Sequence, residues 1–226
     1  MKMTLFHPWN VTPAEAIQIQ RQVRAKVIPY GRLEVPRLIA GADVAFDKDS
    51  ESMYAAAVVI TFPDLERVES VTVKARVAFP YVPGLLSFRE APALLQAFGN
   101  LRHAPDVIFI DGHGLSHPRS AGIASHVGVL LDRPVIGCAK SRLYGRYEEP
   151  GQARSSVSYL YEKEGRVIGA AVRTRDRVQP VFVSIGHRID LDQAIELTLA
   201  CGKGYRIPEP TRQADLLAEQ AKRQRD

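Results

Sequence analysis

Apolar and polar positions change rhythm repeatedly along this chain. Thr12-Pro13-Ala14-Glu15 makes a capping box with proline at the first helical position. Ala16, Ile19, Val23 and Val27 follow at helical spacing until Pro29 and Gly31 end the run. The rhythm then turns to that of strands. Residues 38–46, 54–62 and 68–78 are separated only by the polar stretch 47–52 and by Pro63-Asp64, so an antiparallel meander is expected. A helical stretch over 88–98 precedes four apolar residues, 107–110, too short and too β-branched for a helix. A further helix over 121–131 leads to a buried strand over 135–139, and strand–helix–strand connections make these two strands parallel. Three shorter strands with hairpin turns (155–161, 166–174 and 180–185) come before a helix over 191–200, capped by Asp190 and closed by Gly202 and Gly204. Pro208-Glu209-Pro210 opens a last helix through Ala221. The expectation is one α/β domain over 1–226. Its mixed sheet has an antiparallel three-strand meander followed by parallel strands, flanked by helices, with residues 1–10 and 222–226 frayed.

Composition sets bounds on this picture. With 226 residues, 46% hydrophobic and 24% charged, the chain is long enough to bury roughly three quarters of its unfolded surface. Thirty Lys and Arg against 25 Asp and Glu leave +5, which permits a polyanionic partner without requiring one. Cys138 and Cys201 lack C-x-x-C spacing, which excludes a zinc cage or a disulfide framework. The opening MKMTLFHPWN has no signal-peptide apolar stretch and no run reaches membrane-spanning length. A cytoplasmic protein acting away from membranes is expected.

Carboxylates in unusual places carry the candidate chemistry. Asp43 interrupts an apolar strand, where a bare charge is costly without a partner or a metal. Asp111 ends the 107–110 strand in Asp111-Gly112-His113-Gly114, and open α/β sheets gather ligands at the carboxyl ends of strands. If the meander's first strand lies beside 107–110, Asp43 and Asp111 become neighbours that repel unless a cation sits between them. Oxygen ligands with histidine only nearby favour Mg2+ or Mn2+ over zinc, and such ions serve phosphodiester hydrolysis.

Each residue also has a plainer role available. Asp111 can be a turn residue. Glu90 can close a capping box on Ser87, although Pro92 then sits awkwardly inside the helix and a start nearer Glu90 suits it better. Asp215 can pair with Arg212 three residues back. His113 and His117 can satisfy turn carbonyls, His126 is expected to be structural, and His187 could serve either way. Lys140, just past a buried strand, would share Asp111's sheet edge, as a phosphate-holding group or as a solvated loop residue. Five arginines against one Asp between Arg166 and Arg188 suit a backbone-tracking surface or a wet hairpin tip.

Six stretches in one order carry a resemblance: Gly41-Ala42-Asp43, PYVPGLLSFRE (80–90), DGHGLSHPR (111–119), GIASHVG (122–128), GCAKSRLYG (137–145) and RIPEPTRQAD (206–215). Together they resemble the endonuclease V family, deoxyinosine-specific repair nucleases with a ribonuclease H-like fold. The resemblance spans most of the chain between residues 40 and 215. It implies that Asp43, Glu90, Asp111 and Asp215 form a catalytic acidic cluster around Mg2+, with Mn2+ able to substitute; histidine also occupies the last position within the family. It implies His117 and Lys140 as catalytic companions near the scissile phosphate, in charge stabilisation or proton handling.

Pro80, Tyr81, Val82 and Pro83 match the family's strand-separating wedge, and a loop stiffened by two prolines can insert where a base leaves the stack. By the same similarity Gly84, Leu86, Gly112, Ile123 and Leu143 would line a pocket for the flipped base. Glycine N–H groups would meet the O6 and N7 of hypoxanthine and reject the amine of adenine. The implied reaction is hydrolysis of the second phosphodiester 3′ to deoxyinosine in DNA by a monomer, leaving a 3′-hydroxyl and a 5′-phosphate. DNA with other deaminated bases is a further implied partner. Three alternatives stay open: an inosine-specific endoribonuclease of the same family, a non-catalytic binder of mismatched or branched nucleic acid, and a hydrolase of small phosphate esters using Asp43, Asp111, His113 and His117.

Overall fold

The structure is a computed structural model that describes residues 1, 3–47 and 50–224. Residue 2, residues 48 and 49 of the expected polar turn, and residues 225 and 226 of the tail lie outside the described residues. The elements are α1 (Pro13–Lys26), β1 (Leu38–Phe46), β2 (Ser52–Thr61), β3 (Arg67–Arg76), α2 (Leu86–Gly99), β4 (Val107–Ile110) and α3 (Ile123–Leu131). They continue with β5 (Val135–Ala139), β6 (Val157–Tyr161), β7 (Val167–Val172), β8 (Val181–His187), α4 (Leu191–Ala200) and α5 (Glu209–Arg223). The eight strands form one sheet in the order β3-β2-β1-β4-β5-β8-β7-β6. β1, β2 and β3 are the antiparallel meander, and β4 and β5 run parallel to β1. β8 joins antiparallel to β5 and opens a second meander with β7 and β6. This is the mixed sheet that the rhythm of the sequence predicts, in the ribonuclease H-like form that the resemblance implies.

Strand alternation decides what the two faces of the sheet carry. Ala40, Ala42, Ile108, Ile110 and Val135 point into the core beneath α2 and α3. Ile39, Val107, Phe109, Ile136 and Cys138 point into the opposite core, which α4 and α5 cover. The same period of two sends Gly41, Asp43, Asp111 and Lys140 towards the α5 side. The helices close both apolar faces, and the residues with chemistry are left at the strand ends. Among the described residues, no helix is long and apolar enough to cross a membrane.

Three expectations need correction. Described residues of the opening segment are packed in place: the Thr4 N–H donates to the Leu130 carbonyl, and His7, 6% exposed, meets His126 at 2.7 Å between their Nε2 atoms. Trp9 and Phe88 pack around that pair, so aromatic burial anchors a segment that composition alone leaves loose. At the other end, Lys222 and Arg223 belong to α5. Finally, α2 starts at Leu86, capped by Leu85 without a side-chain bond, and runs through Pro92. The missing N–H and the ring clash of Pro92 cost stability, but Ala91, Leu94, Leu95 and Phe98 of the same helix are buried in the core, and that burial outweighs them.

Candidate metal centre and adjoining cavity

β1 and β4 lie side by side in parallel, with Ala42 opposite Ile110 and the Asp111 N–H donating to the Ala42 carbonyl at 3.1 Å. Asp43 and Asp111 therefore leave neighbouring strands at one level on one face. Asp215 reaches them from α5, which crosses β1 with no side chain between: a Cβ on Gly41 would lie 2.0 Å from the Pro210 carbonyl oxygen. Each of the three carboxylates offers one oxygen within 4.8 Å of the others. Lys140, one residue past β5, places Nζ 2.6 Å from Asp111, 2.9 Å from Asp215 and 3.5 Å from Asp43. Asp215 thus pairs with Lys140, while Arg212 pairs with Glu209.

Electrostatics follow from this crowding. Burial first, and the charge of Asp111 second, raise the Asp43 carboxyl far above the usual range, against the pull of Lys140. Burial and Asp111 likewise push Glu90 up to about 8. Burial acts to lower Lys140, but Asp111 and Asp43 outweigh it and hold its ammonium above its ordinary value. Burial acts upward on Asp215, yet hydrogen bonds with Lys140 and Asp43 keep it below the usual carboxylate range. The cluster attracts positive charge, and its all-oxygen donor set fits a hard divalent cation. Glu90 stands apart from this set. It comes from α2, on the opposite face of the sheet, and interacts with Asp111 through charge.

A linkage prediction follows for Glu90. In the ion-free protein the folded state keeps a proton that the unfolded chain, with its carboxyl near 4.5, has released. Stability should therefore fall as pH rises from 4.5 towards 8. Thermal melts in EDTA should show this decline, saturating Mg2+ should shrink it, and Glu90→Gln should reduce it to the share that the raised Asp43 carboxyl contributes. A wild-type slope that Mg2+ leaves unchanged would place the ion elsewhere.

A cavity of about 210 Å³ opens beside the carboxylates. All five residues expected to line a base pocket (Gly84, Leu86, Gly112, Ile123 and Leu143) are in its wall, together with Tyr81, Val82 and Pro83 of the wedge segment. Tyr81 is 70% exposed at the rim, while Phe79 and Leu85 at the two ends of the loop are buried. Cavity and cluster share main chain, since Asp111 precedes Gly112 and Lys140 precedes Ser141, which is also in the wall. His117 lies in that wall rather than among the carboxylates. Burial, then the charge of Arg119, pull its pKa down to about 4, so it is neutral. His113 is likewise held neutral, at about 4, by burial, and contacts Ser116 at 2.8 Å.

Sequence reasoning left out Gln20, Ser87, Gly122, Ser141 and Arg142, which also line the cavity. Four of them sit inside the quoted motifs. Gln20 had one signal, a polar residue next to Ile19 on the apolar stripe of α1. The arginines of 166–188 sit in different environments. Arg173 is buried against Glu149, Arg166 pairs with Glu162, and Arg188 pairs with Asp132; Arg175 and Arg177 stay exposed at the hairpin tip.

Three acidic groups and a lysine brought together over the central strands of a ribonuclease H-like sheet form a site whose oxygens suit a divalent cation. Comparisons with known proteins narrow this. Residues 20–216 match the family model described as Endonuclease V. The endonuclease V of Gloeobacter violaceus is 51% identical over 211 residues, covering 92% of this chain and 85% of its own. The crystal structure of endonuclease V from Streptomyces avermitilis superposes with a TM-score of 0.91 at 42% identity, covering 99% of both chains. That of Ciona intestinalis endonuclease V, solved with a 23mer DNA containing an inosine followed by a ribo-adenosine, gives 0.83 at 27% identity, covering 95% of this chain and 99% of its own. The chain belongs to the endonuclease V family.

Proposed function

We propose that this endonuclease recognises deoxyinosine in DNA by flipping it into the 210 Å³ cavity and hydrolyses the second phosphodiester on its 3′ side, leaving a 3′-hydroxyl and a 5′-phosphate. The observation that carries the proposal is the shared main chain of cavity and carboxylates at Asp111-Gly112 and Lys140-Ser141. A base held in one sets the path of its own strand past the other. Helix α3 begins at the cavity wall, with Gly122 as its N-cap. The positive end of its dipole suits the O6 and N7 acceptors of hypoxanthine. Leu86, Ile123 and Leu143 supply apolar faces. The exposed ring of Tyr81, between prolines, can fill the gap the base leaves.

Asp43, Asp111 and Asp215 would hold Mg2+, or Mn2+ in its place, with Glu90 adding its charge from the far side. When bound, the ion neutralises charge and supplies Lewis acidity at the scissile phosphate. Lys140 stabilises negative charge that builds up there. The inosine-containing DNA in the Ciona enzyme supports the substrate assignment by relationship.

The test is a duplex with one deoxyinosine, labelled at either end and incubated with Mg2+ or EDTA. Cutting at the second bond, with a 5′-phosphate that ligase accepts, is expected only with the ion. Cleavage elsewhere, or binding with no nick, overturns the proposal. The ribo-adenosine after inosine in the Ciona complex favours inosine-containing RNA as a second reading, and a matched RNA strand in the same assay decides between them. Tyr81→Ala should lower the ratio of inosine-directed to undamaged cutting by about tenfold, in line with the loss of one stacked aromatic, with little change in melting temperature. Equal loss on both strands would make Tyr81 a packing residue.

A further inference from the structure

Three polar side chains away from the carboxylates, two of them buried, converge on one carbonyl. Gln20 of α1 is 1% exposed and uses its whole amide. Its Nε2 donates to the Gly84 carbonyl at 2.8 Å and to the Ala121 carbonyl at 3.1 Å, and its Oε1 accepts from Arg119 Nε at 2.5 Å. The same Gly84 oxygen accepts from Arg119 Nη2 at 2.6 Å and from His117 Nε2 at 3.0 Å. The Arg119 N–H donates to His117 Nδ1 at 3.1 Å, which fixes the tautomer with its hydrogen on Nε2. Three donors thus face one oxygen, at a residue with φ +76° that joins the Pro80–Pro83 loop to the cavity wall.

We infer that Gln20 is a positioning residue for lesion discrimination: it locks the Gly84 carbonyl, and with it the wedge loop, onto the 117–121 segment across the cavity. The inference rests on the base-flipping function proposed above. A glycine at positive φ has a peptide that turns easily once unheld. The guanidinium of Arg119 is steered by the Gln20 oxygen, so removing the amide frees two of the three donors at once. A loop ordered before substrate arrives does not have to be ordered during binding. Bonds inside a connected, partly buried network hold it more firmly than the same bonds in open water. Gln20 touches no reacting group; it acts through Gly84.

The test compares wild type with Gln20→Met, which keeps the length and removes every polar atom, and Gln20→Glu, which keeps the acceptor for Arg119 and removes both donations. Amide exchange over residues 81–86 should accelerate by about tenfold in both variants, the effect of losing one buried hydrogen bond, while exchange in β1 and β4 stays as in wild type. The ratio of single-turnover rates on inosine-containing and undamaged strands, per folded molecule, should fall by about the same factor. Unchanged loop exchange in either folded variant overturns the inference, and so does an equal fall of both rates. Failure of both variants to fold also overturns it, by making Gln20 a folding residue. If wild type shows no preference for inosine, the proposed function fails, and loop exchange alone still decides whether Gln20 is the lock.

Discussion

Asp111→Asn should remove about a thousandfold of the cutting rate while leaving affinity for the inosine strand within about threefold of wild type. Asp111 is the member of the cluster that touches Lys140 most closely, at 2.6 Å. Its charge also acts on Asp43 and Glu90 alike. An asparagine offers an oxygen but no charge, so a divalent cation loses part of what holds it and Lys140 loses its nearest counter-charge. The fold should not suffer. Asp111 raises the proton affinity of two neighbours, which marks repulsion among buried carboxylates, and the substitution relieves it. Melting in EDTA should therefore occur at or above the wild-type temperature. Rapid-quench rates, gel-shift affinity and calorimetry separate these effects. A variant that cuts normally removes Asp111 from the reaction, and one that loses binding as much as cutting makes it a structural residue.

The placement of Asp111 was legible because strand period and strand order together fix it. Once β1 pairs with β4, the alternation Ile39-Gly41-Asp43 and Val107-Phe109-Asp111 sets both carboxylates on one face, and Ile136-Cys138-Lys140 brings the lysine to the same side. Asp215 was less legible. Its helix was clear from proline and periodicity, but its depth over β1 depends on a contact between Gly41 and Pro210 that no local pattern reports. Pro92 misled because the penalty of a proline inside a helix is local, whereas the burial of Leu94, Leu95 and Phe98 that repays it comes from the whole sheet. Long-range pairs escaped for the same reason. The sequence around Arg173 does not report Glu149, 24 residues earlier, or the Pro150, Gly151 and Val178 carbonyls that enclose its guanidinium. The pairing of His7 with His126, 119 residues apart, gives no sign in either neighbourhood. Gln20 could be noticed as a polar intruder on an apolar stripe, but what it binds required coordinates.

Gly41→Ala should join these threads, as a loss of stability that is also a loss of chemistry. A Cβ there would lie 2.0 Å from the Pro210 carbonyl oxygen and 2.7 Å from the Thr211 nitrogen, both main chain. Neither can rotate away, so α5 must back off from β1. Overpacking of this kind costs about 1–3 kcal/mol, which for a chain of this size lowers the melting temperature by about 2–4 °C for each kcal/mol. The retreat also carries Asp215 away from Asp43, Asp111 and Lys140. A misplacement of about 1 Å in a reacting site can cost about a hundredfold, so the rate per folded molecule should fall by that order, far more than the lost stability explains. Asp215→Asn provides the comparison, because it removes the charge without moving the helix. Gly99→Ala provides the control, since nothing lies within 4 Å of a Cβ at that position, and it should leave both measurements near wild type. If Gly41→Ala melts early yet cuts at the full rate per folded molecule, the seating of α5 on β1 serves the fold alone, and Asp215 is not one of the groups that hold the ion.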